Sequence, residues 1–314
     1  MNSSGETMGL RQRWTWWRER RRIYPPDEIH RAGELAEQRL AKVSRAAGRK
    51  NGWHVFESVR IPDAEQGGKR EIDLVIVGGN TMLVVEQKHW SGSFEINDEE
   101  EFIQHRKNGT THNHSTVNQR IARKSRMLVA MHNERVGSDD GVDVRVVLAF
   151  TNRNLDWPAS VMNLGSTVKD ESGFIGLLEE EHPGELNEAL LETVAGFGTW
   201  DEVELNGGYM CKGDVLELGL GEAVEQWQSG RTTPLLGQVG HAQGVLSLFS
   251  SRPSKLELQA GERRLEATLP FGKVLKMHVV GRKHPEDIPW STVSGLNLST
   301  PSLNEELGQT LEKP

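Results

Sequence analysis

The sequence predicts an α/β fold, a mixed sheet with flanking helices, followed by a smaller β-rich barrel or sandwich domain. Three observations support this prediction. Between residues 28 and 152 the pattern of apolar residues follows the order α-β-β-β-α-β. Amphipathic helical patterns come next, and from Trp200 onward glycine-rich turns separate short strands. With 314 residues, the chain is long enough for two domains that each bury a core.

The composition restricts the class of protein and its compartment. A single cysteine, Cys211, excludes a disulfide framework and indicates a reducing environment. No apolar run approaches the ~18 to 20 residues that a membrane-spanning helix needs, and the N-terminus lacks an apolar signal segment. We therefore expect a cytoplasmic protein without a transmembrane segment.

Charge is unevenly distributed along the chain. Residues 11–60 hold 13 Lys and Arg against 6 Asp and Glu, whereas residues 154–230 hold 2 against 16. If a nucleic acid binds, we expect it near the basic N-terminal half, since phosphates repel the acidic middle. The alternative is that these charges only keep both surfaces soluble.

Residues 1–26 form a basic arm rich in tryptophan and arginine, with "RQRWTWWRERRR" at its centre. Such a segment suits binding to nucleic acid or to a membrane surface, because rings stack on bases and cations bind phosphates. The alternative, that the tryptophans dock on the chain's own core, stays open. After Pro25-Pro26, Asp27 is expected to cap a helix that ends near residue 47.

Residues 27–157 are predicted to form the mixed α/β domain. "WHVFESVRI" alternates as a strand does, and "REIDLVIVGGNTMLVVEQKHW" places two apolar runs around a Gly-Gly-Asn centre, which is typical of a β-hairpin. "SGSFEIND" predicts a further short strand, residues 97–113 a loop, and residues 115–133 a helix. "VRVVLAFTN" is almost wholly apolar, which favours a strand buried on both faces.

Three further segments complete the predicted organisation. Residues 158–199 are expected to be an acidic helical connector, with helices at "SGFIGLLEEE" and "GELNEALLETVAGF". Residues 200–290 are expected to be the β-rich domain, in which no residue pattern identifies a ligand. Residues 291–314, rich in Ser, Asn and Glu, are expected to be a disordered tail.

The hairpin places charged residues inside strands built for burial. With Gly79-Asn80 at the turn, Asp73 lies directly across from Glu86, and Lys88 lies on the same face opposite Glu71. Two carboxylates at that separation repel, and a divalent cation between them would remove the repulsion; oxygen ligands favour Mg²⁺ or Mn²⁺. An ordinary ion-pair ladder on a solvated face is the alternative, although the apolar neighbours argue against a solvated face.

At these residues the sequence resembles the PD-(D/E)XK nuclease superfamily, and specifically its nuclease-related domain (NERD) branch. In that superfamily an acidic residue on the second strand precedes an acid-x-Lys motif on the third. Here "EIDLVIV" supplies Asp73 and "VVEQKHWSG" supplies Glu86, Gln87 and Lys88, with Trp90 and Gly92 completing the NERD pattern. The resemblance covers about residues 28–155 and implies a restriction-endonuclease-like core.

Two helices resemble the family's flanking motifs in part. In "RAGELAEQRLAKV", Gly33 takes the first glycine position, Ala36 replaces the second glycine, and Glu37 falls on the acidic position. Glu34, one helical turn earlier on the same face, is a competing candidate. In "STVNQRIARKSRML", Gln119 matches a polar residue that enters the site, but the family's proline is missing, which puts its role in doubt.

The resemblance implies a Mg²⁺- or Mn²⁺-dependent phosphodiesterase, an endonuclease acting on DNA more readily than on RNA, in phage defence or DNA processing. Asp73, Glu86 and the backbone carbonyl of Gln87 would hold the metal, and Lys88 would position the attacking water. Glu37 would reach the site from the first helix, and Gln119 would orient Lys88 or a phosphate. Plausible phosphate contacts are Arg31, Arg39, Lys42, Arg45, Arg120, Arg123 and Lys124.

Two further interpretations concern segments outside these motifs. His105, His112 and His114 lack companion cysteines, so we expect a flexible, partly cationic loop that contacts a nucleic-acid backbone rather than a metal site. The rival to an enzyme is a catalytically inactive nucleic-acid-binding protein or scaffold, which recruits a protein partner or self-associates through the β-rich domain. The presence of Asp73, Glu86 and Lys88 together argues against a catalytically inactive site.

Overall fold

The structure, a computed structural model, describes residues 10–25, 28–63, 65–66, 68–99, 101–158, 167–241 and 253–300, and of residues 10 and 28–32 it describes the backbone only. The described chain divides into two compact units. One spans residues 29–199, and the other combines the N-terminal residues up to 28 with residues 200–300. In the described ranges no helix is both long and apolar enough to cross a membrane.

The described residues contain six α-helices and two 3₁₀ helices. The α-helices are α1 (Leu10–Arg20), α2 (Glu28–Gly48), α3 (Val117–Val136), α4 (Glu171–Glu180), α5 (Glu188–Ala195) and α6 (Glu222–Ser229). The 3₁₀ helices are Arg49–Asn51 and Trp290–Thr292. The predicted cap of α2, Asp27, lies outside the described residues.

Seventeen strands are described, nine in the 29–199 unit and eight in the second unit. The first nine are β1 (His54–Pro62), β2 (Lys69–Gly78), β3 (Thr81–Lys88), β4 (Gly92–Ile96), β5 (Phe102–His105), β6 (Thr111–His114), β7 (Asp143–Phe150), β8 (Leu155–Asp156) and β9 (Val168–Asp170). The other eight are β10 (Asp201–Leu205), β11 (Met210–Glu217), β12 (Leu235–Gly240), β13 (Ser254–Ala260), β14 (Arg263–Leu269), β15 (Val274–Val279), β16 (Glu286–Pro289) and β17 (Val293–Leu298).

The 29–199 unit is built on a five-stranded mixed sheet with the order β1-β2-β3-β7-β9. Strands β1, β2 and β3 are antiparallel neighbours, and β7 and β9 run parallel to β3. The β2–β3 register runs from the pair Gly78–Thr81 at the turn to Leu74–Val85, which confirms the register predicted from the Gly79-Asn80 turn. The α/β class and the mixed sheet are therefore as predicted.

The two faces of this sheet bury different helices. On the face that we call the α3 face, Val75 and Val84 share a cluster with Val117, Ile121 and Leu128 of α3. On the opposite face, which we call the α2 face, Leu74 and Val85 share a cluster with residues of α2 and α4. Those helix residues are Leu40, Ala41, Phe174 and Leu178.

Two of the predicted segments in this unit need correction. Residues 97–113, predicted as a loop, contain β5 and β6, which belong to a second sheet with the order β6-β5-β4-β8. Residues 158–199, predicted as a connector, include β9 at the sheet edge and helices α4 and α5. Phe174 of α4 is fully buried in the cluster on the α2 face, and Leu190 of α5 is fully buried in the cluster on the α3 face. The apolar sides of both helices are thus covered by the domain core.

The second unit is β-rich, as predicted, with one eight-stranded antiparallel sheet in the order β14-β13-β12-β17-β10-β11-β15-β16. The disordered tail predicted from residue 291 is wrong for its first part, because β17 lies between β12 and β10 and buries Leu296 and Leu298. Residues 301–314 lie outside the described residues.

In the same unit, the basic arm contains α1, which is docked through one of its tryptophans. Trp16 is buried and packs edge-to-face on Phe271, with 6.0 Å between the ring centroids. The guanidinium carbon of Arg20 lies over the Trp16 ring, 3.9 Å from its centroid. Trp14 remains half exposed. Of the two interpretations of this segment, docking on the chain's own core therefore holds for Trp16.

Candidate active site

The candidate site lies on the α3 face where β2 and β3 leave their regular pairing. One step beyond the last pair, Leu74–Val85, Asp73 and Glu86 come opposite each other. Because strand side chains alternate, Asp73 shares the face of Val75, and Glu86 shares the face of Val84 and Lys88. The two carboxylates thus stand on neighbouring strands, on the side covered by α3.

Short contacts tie these side chains together. Oδ2 of Asp73 accepts a hydrogen bond from the backbone N–H of Gln87 at 2.7 Å. Nζ of Lys88 donates to Oε1 of Glu86 at 2.7 Å, and Nζ of Lys124 donates to Oε2 of Glu86 at 2.8 Å. We call Asp73, Glu86, Lys88 and Lys124 the acid–lysine cluster. The side chains of its last three members are between 17% and 19% exposed, so their charges act in a largely water-excluded space.

The two carboxylates have opposite electrostatic surroundings. Burial, followed by the negative charge of Glu86, raises the pKa of Asp73 to about 7, against the opposing effects of Lys88, Gln87 N–H and Lys124. Burial also raises the pKa of Glu86, but the ammonium groups of Lys88 and Lys124 outweigh it and leave that pKa below its ordinary value. Glu86 is therefore the fixed anion, and Asp73 is the group that gains or loses a proton near neutral pH.

The peptide of Gln87 is turned toward the carboxylates. Its N–H points to Asp73 on β2, whereas the carbonyl of the next residue, Lys88, points the other way and accepts a hydrogen bond from Thr151 N–H at 3.1 Å. In a strand the N–H and C=O of one residue face the same neighbour, so the Gln87 carbonyl also faces β2. This orientation matches the ligand predicted from the sequence.

The donor set therefore fits a hard divalent cation in its chemistry. It consists of two carboxylates and one peptide oxygen, which are ligands that Mg²⁺ and Mn²⁺ accept. Among the described residues no group of three or more His, Cys, Asp or Glu side chains could hold a metal. The remaining coordination positions of such an ion would thus belong to water or substrate. Within the same residues, no hydrogen-bond donor reaches Oδ1 of Asp73.

Trp90 and Gly92 fix the second sheet to the end of β3. The indole of Trp90 stacks on the ring of His114, with 4.2 Å between the centroids. It makes edge-to-face contacts with Phe94, Phe102 and Phe150. Gly92 has φ 88°, and a Cβ there would lie 2.0 Å from the carbonyl oxygen of His105. Only glycine allows this approach of β5, which gives a structural reason for both motif positions.

Lys124 has a different place from the one predicted. The sequence put it among phosphate contacts, but the structure pairs it with Glu86 inside the cluster. A signal for this existed, because Lys124 interrupts the buried stripe of α3 formed by Val117, Ile121 and Leu128 at helical spacing. A lysine in an apolar stripe needs a buried partner.

Arg123 is also not a phosphate contact in this structure. Its guanidinium binds both oxygens of Asp63 at 2.7 Å and one oxygen of Glu65 at 2.6 Å. The side chain of Asp63 is fully buried and also accepts from Arg70 at 2.6 Å. Hydrogen bonding by Arg123 holds the pKa of Asp63 well below its usual range, so this group is a structural ion-pair network.

The cations predicted on the first helix lie away from the cluster. Helix α2 packs on the α2 face through Leu40 and Ala41, opposite the acid–lysine cluster. Arg39 pairs with Glu171 and Arg45 with Glu57, and Lys42 is exposed. The side chain of Arg31 is outside the described residues. Of the seven predicted phosphate contacts, only Arg120 combines exposure with a position on α3 near the cluster.

Three further predicted residues stay predictions. Glu34 and Glu37 are half-buried residues of α2, the helix that packs on the α2 face. Gln119 is exposed in the first turn of α3, the helix that also carries Lys124.

Part of the chain matches a known protein family. Residues 32–151 match the model of a family described as the nuclease-related domain, which belongs to the PD-(D/E)XK-like nuclease superfamily. The match covers less than half of the 314-residue chain and includes β1 to β7, α3 and the whole acid–lysine cluster. No curated protein and no solved structure matched the chain.

Proposed function

We propose that this chain, which carries a nuclease-related domain at residues 32–151, is a metal-dependent nuclease that hydrolyses phosphodiester bonds, in DNA more readily than in RNA. The observation that supports this most strongly is the juxtaposition of Asp73 and Glu86 across β2 and β3, with Lys88 bound to Glu86 on the same face. The β-rich unit is not needed for this proposal.

Asp73, Glu86 and the Gln87 carbonyl would hold Mg²⁺ or Mn²⁺. When bound, such a cation lowers the pKa of a coordinated water and offsets the negative charge that develops on the phosphorus oxygens. The raised pKa of Asp73 supports this assignment, because a cation would favour the carboxylate form that burial and Glu86 disfavour.

The lysines of the cluster would act on the water and the phosphate. Lys88 has three donor hydrogens and uses one on Glu86, so it can donate others to an attacking water or to a phosphate oxygen. Its positive charge would keep that water deprotonated once the proton is lost. Lys124, which is bound to the other oxygen of Glu86, would reduce the repulsion between the carboxylates and an anionic substrate.

One observation favours a second candidate function. Both oxygens of Glu86 are engaged by ammonium groups, so the acid–lysine cluster neutralises part of its charge without a metal. In a catalytically inactive protein this cluster would be a structural ion pair, and the chain would act as a nucleic-acid-binding protein or a scaffold that engages partners through its β-rich unit.

Cleavage assays separate these two functions. The wild-type chain, Asp73→Ala, Lys88→Ala and the control Lys50→Ala would be incubated with plasmid, linear duplex, single-stranded DNA and RNA, with Mg²⁺, Mn²⁺ or EDTA. We expect metal-dependent cleavage by wild type and control, and a loss of about 10³-fold or more in the other two, since several kcal/mol of transition-state stabilisation is removed. Equal cleavage by all four chains, or none by any, would refute the proposed nuclease.

A further inference from the structure

The hairpin formed by β5 and β6 is rigidly attached next to the acid–lysine cluster. His114 of β6 stacks on Trp90, two residues after Lys88, at 4.2 Å with 23° between the ring planes. Gln104 of β5 is buried, donates to the Ser91 carbonyl at 2.9 Å and lies 3.4 Å from Nε2 of His114. The hairpin thus has a fixed position relative to β3.

The hairpin also has an exposed, well-defined tip. Residues 105–113 are all exposed, and the turn is closed by hydrogen bonds between Arg106 and Thr110 and from Gly109 N–H to the Arg106 carbonyl. The Asn108 side chain accepts from both the N–H and the hydroxyl of Thr110. Arg106 and Lys107 are therefore presented to solvent on a structured turn.

Positive charge is concentrated here without acidic neighbours in the chain. From Phe102 to Asn133 the sequence has no Asp or Glu, but six Lys and Arg and four His. Among the described residues, no acidic side chain pairs with Arg106, Lys107 or Arg120. Two acids lie nearby: Glu95 meets His105, the residue before Arg106, at 3.4 Å, and Glu101 accepts from Asn113 at 2.9 Å.

These cations border the same space as the cluster. His112 and His114 project on one side of β6, with ring centroids 6.4 Å apart. Burial lowers the pKa of His114, and the positive charges of His112, Lys88, Arg106 and Arg120 lower it further, so these four groups lie within electrostatic range of His114. The cationic side of the hairpin and the start of α3 thus flank the proposed cleavage site.

We propose that the β5–β6 hairpin is a nucleic-acid-binding element in which Arg106 and Lys107 bind the sugar-phosphate backbone of the substrate strand. His112 and Arg120 would contact the same strand closer to the cleavage site. This inference rests on the proposed nuclease function and specifies its substrate contacts. A polyanionic strand is the occupant that fits, because Arg106, Lys107 and Arg120 have no acidic partner among the described residues and lie beside a proposed site for phosphodiester chemistry.

The test measures binding without cleavage, by fluorescence anisotropy of the full chain in EDTA. The probes are a labelled 30-nucleotide single-stranded DNA, its duplex and the matching RNA, titrated at several salt concentrations. The variants are Arg106→Ala/Lys107→Ala and the charge-matched control Arg49→Ala/Lys50→Ala, two exposed residues of the 3₁₀ helix that follows α2. Arg106 and Lys107 are exposed and unpaired, so their removal should leave the fold intact.

We expect the hairpin variant to bind about 10-fold or more weakly, with a salt dependence of log Kd shallower by roughly one to two units, because two phosphate contacts are lost. The control should bind within about twofold of wild type, and whichever probe loses most identifies the preferred nucleic acid. Unchanged binding by the hairpin variant, equal losses in both variants, or no binding of any probe by wild type would overturn the inference. Because binding is measured in EDTA, a loss specific to the hairpin variant would support it even if no cleavage were found.

Discussion

Two aspartates of the same unit, the buried Asp63 and the half-buried Asp73, differ in what surrounds them. Asp63 has both oxygens bound by the guanidinium groups of Arg123 and Arg70 and by Gln66 N–H, and its pKa lies below the ordinary value. Asp73 has one backbone N–H on one oxygen, faces Glu86, and its pKa is raised. A fully paired carboxylate therefore contributes to stability, whereas an incompletely paired carboxylate can still coordinate a cation.

The largest expected difference between the two aspartates is in stability. Asp63→Ala should lower the free energy of unfolding by about 3 to 5 kcal/mol, since it leaves Arg123 without its buried partner. Asp73→Ala should change it by less than about 1 kcal/mol at pH 8, because it removes a carboxylate that is itself destabilised by burial. Urea unfolding of both variants would measure this. Similar losses of unfolding free energy in the two variants would contradict the proposed difference between the two aspartates.

Metal affinity should depend on pH through Asp73. Its pKa is raised to about 7, so the carboxylate is mostly protonated at pH 6 and mostly ionised at pH 8. Cation binding requires the ionised form, and we therefore expect Mg²⁺ or Mn²⁺ to bind about 10-fold more weakly at pH 6 than at pH 8. Calorimetry at both pH values would test this, with Asp73→Asn as the control that has no such dependence. An affinity that is flat over this range would contradict the role of Asp73.

The pKa of Asp73 also gives the sign of its contribution to stability. Because the folded-state pKa exceeds the ordinary value of the unfolded chain, the native state binds more protons between those two values. Without metal, wild type should therefore lose stability relative to Asp73→Asn as pH rises from about 4 to above 7. Asp63, whose pKa is lowered, should stabilise at neutral pH and lose that contribution only as the medium becomes acidic. Between pH 5 and pH 8, urea midpoints should show wild type losing stability relative to Asp73→Asn, whereas the difference between wild type and Asp63→Asn should stay constant.

The smallest expected effect concerns Lys124. Lys124→Met keeps most of the buried volume but removes the ammonium that lies 2.8 Å from Oε2 of Glu86. The variant should bind Mg²⁺ roughly threefold more tightly, because one Glu86 oxygen becomes available and a repelling charge is gone. Titration against wild type would measure it. Weaker binding would mean that Lys124 orders Glu86 for the metal rather than competing with it.

Local patterns predicted the part of the site that depends on one hairpin. The two-residue turn at Gly79-Asn80 sets the register, and the register sets which side chains share a face, so Asp73, Glu86 and Lys88 could be grouped from the sequence. The partners of Arg123 and Lys124 could not be found in this way. They depend on how α3 docks on the sheet, which is a long-range packing result.

The errors in the predicted fold also arise from long-range contacts. The β5–β6 hairpin is polar because its outer side is exposed, which resembles loop composition. Strand β17 begins within a segment rich in Ser, Asn and Glu, a composition typical of a disordered tail, and a register shift against β10 interrupts its alternation between Val293 and Leu296. In both cases pairing with another strand, rather than the local sequence, determines the structure.

The most direct test of a cation shared by Asp73 and Glu86 is an anomalous-scattering crystal structure of the chain with Mn²⁺. The expected result is one Mn²⁺ peak within coordination distance of both carboxylates and of the Gln87 carbonyl, and no such peak at Asp63. Full Mn²⁺ occupancy elsewhere with none at Asp73, or a peak within coordination distance of only one of the two carboxylates, would contradict it.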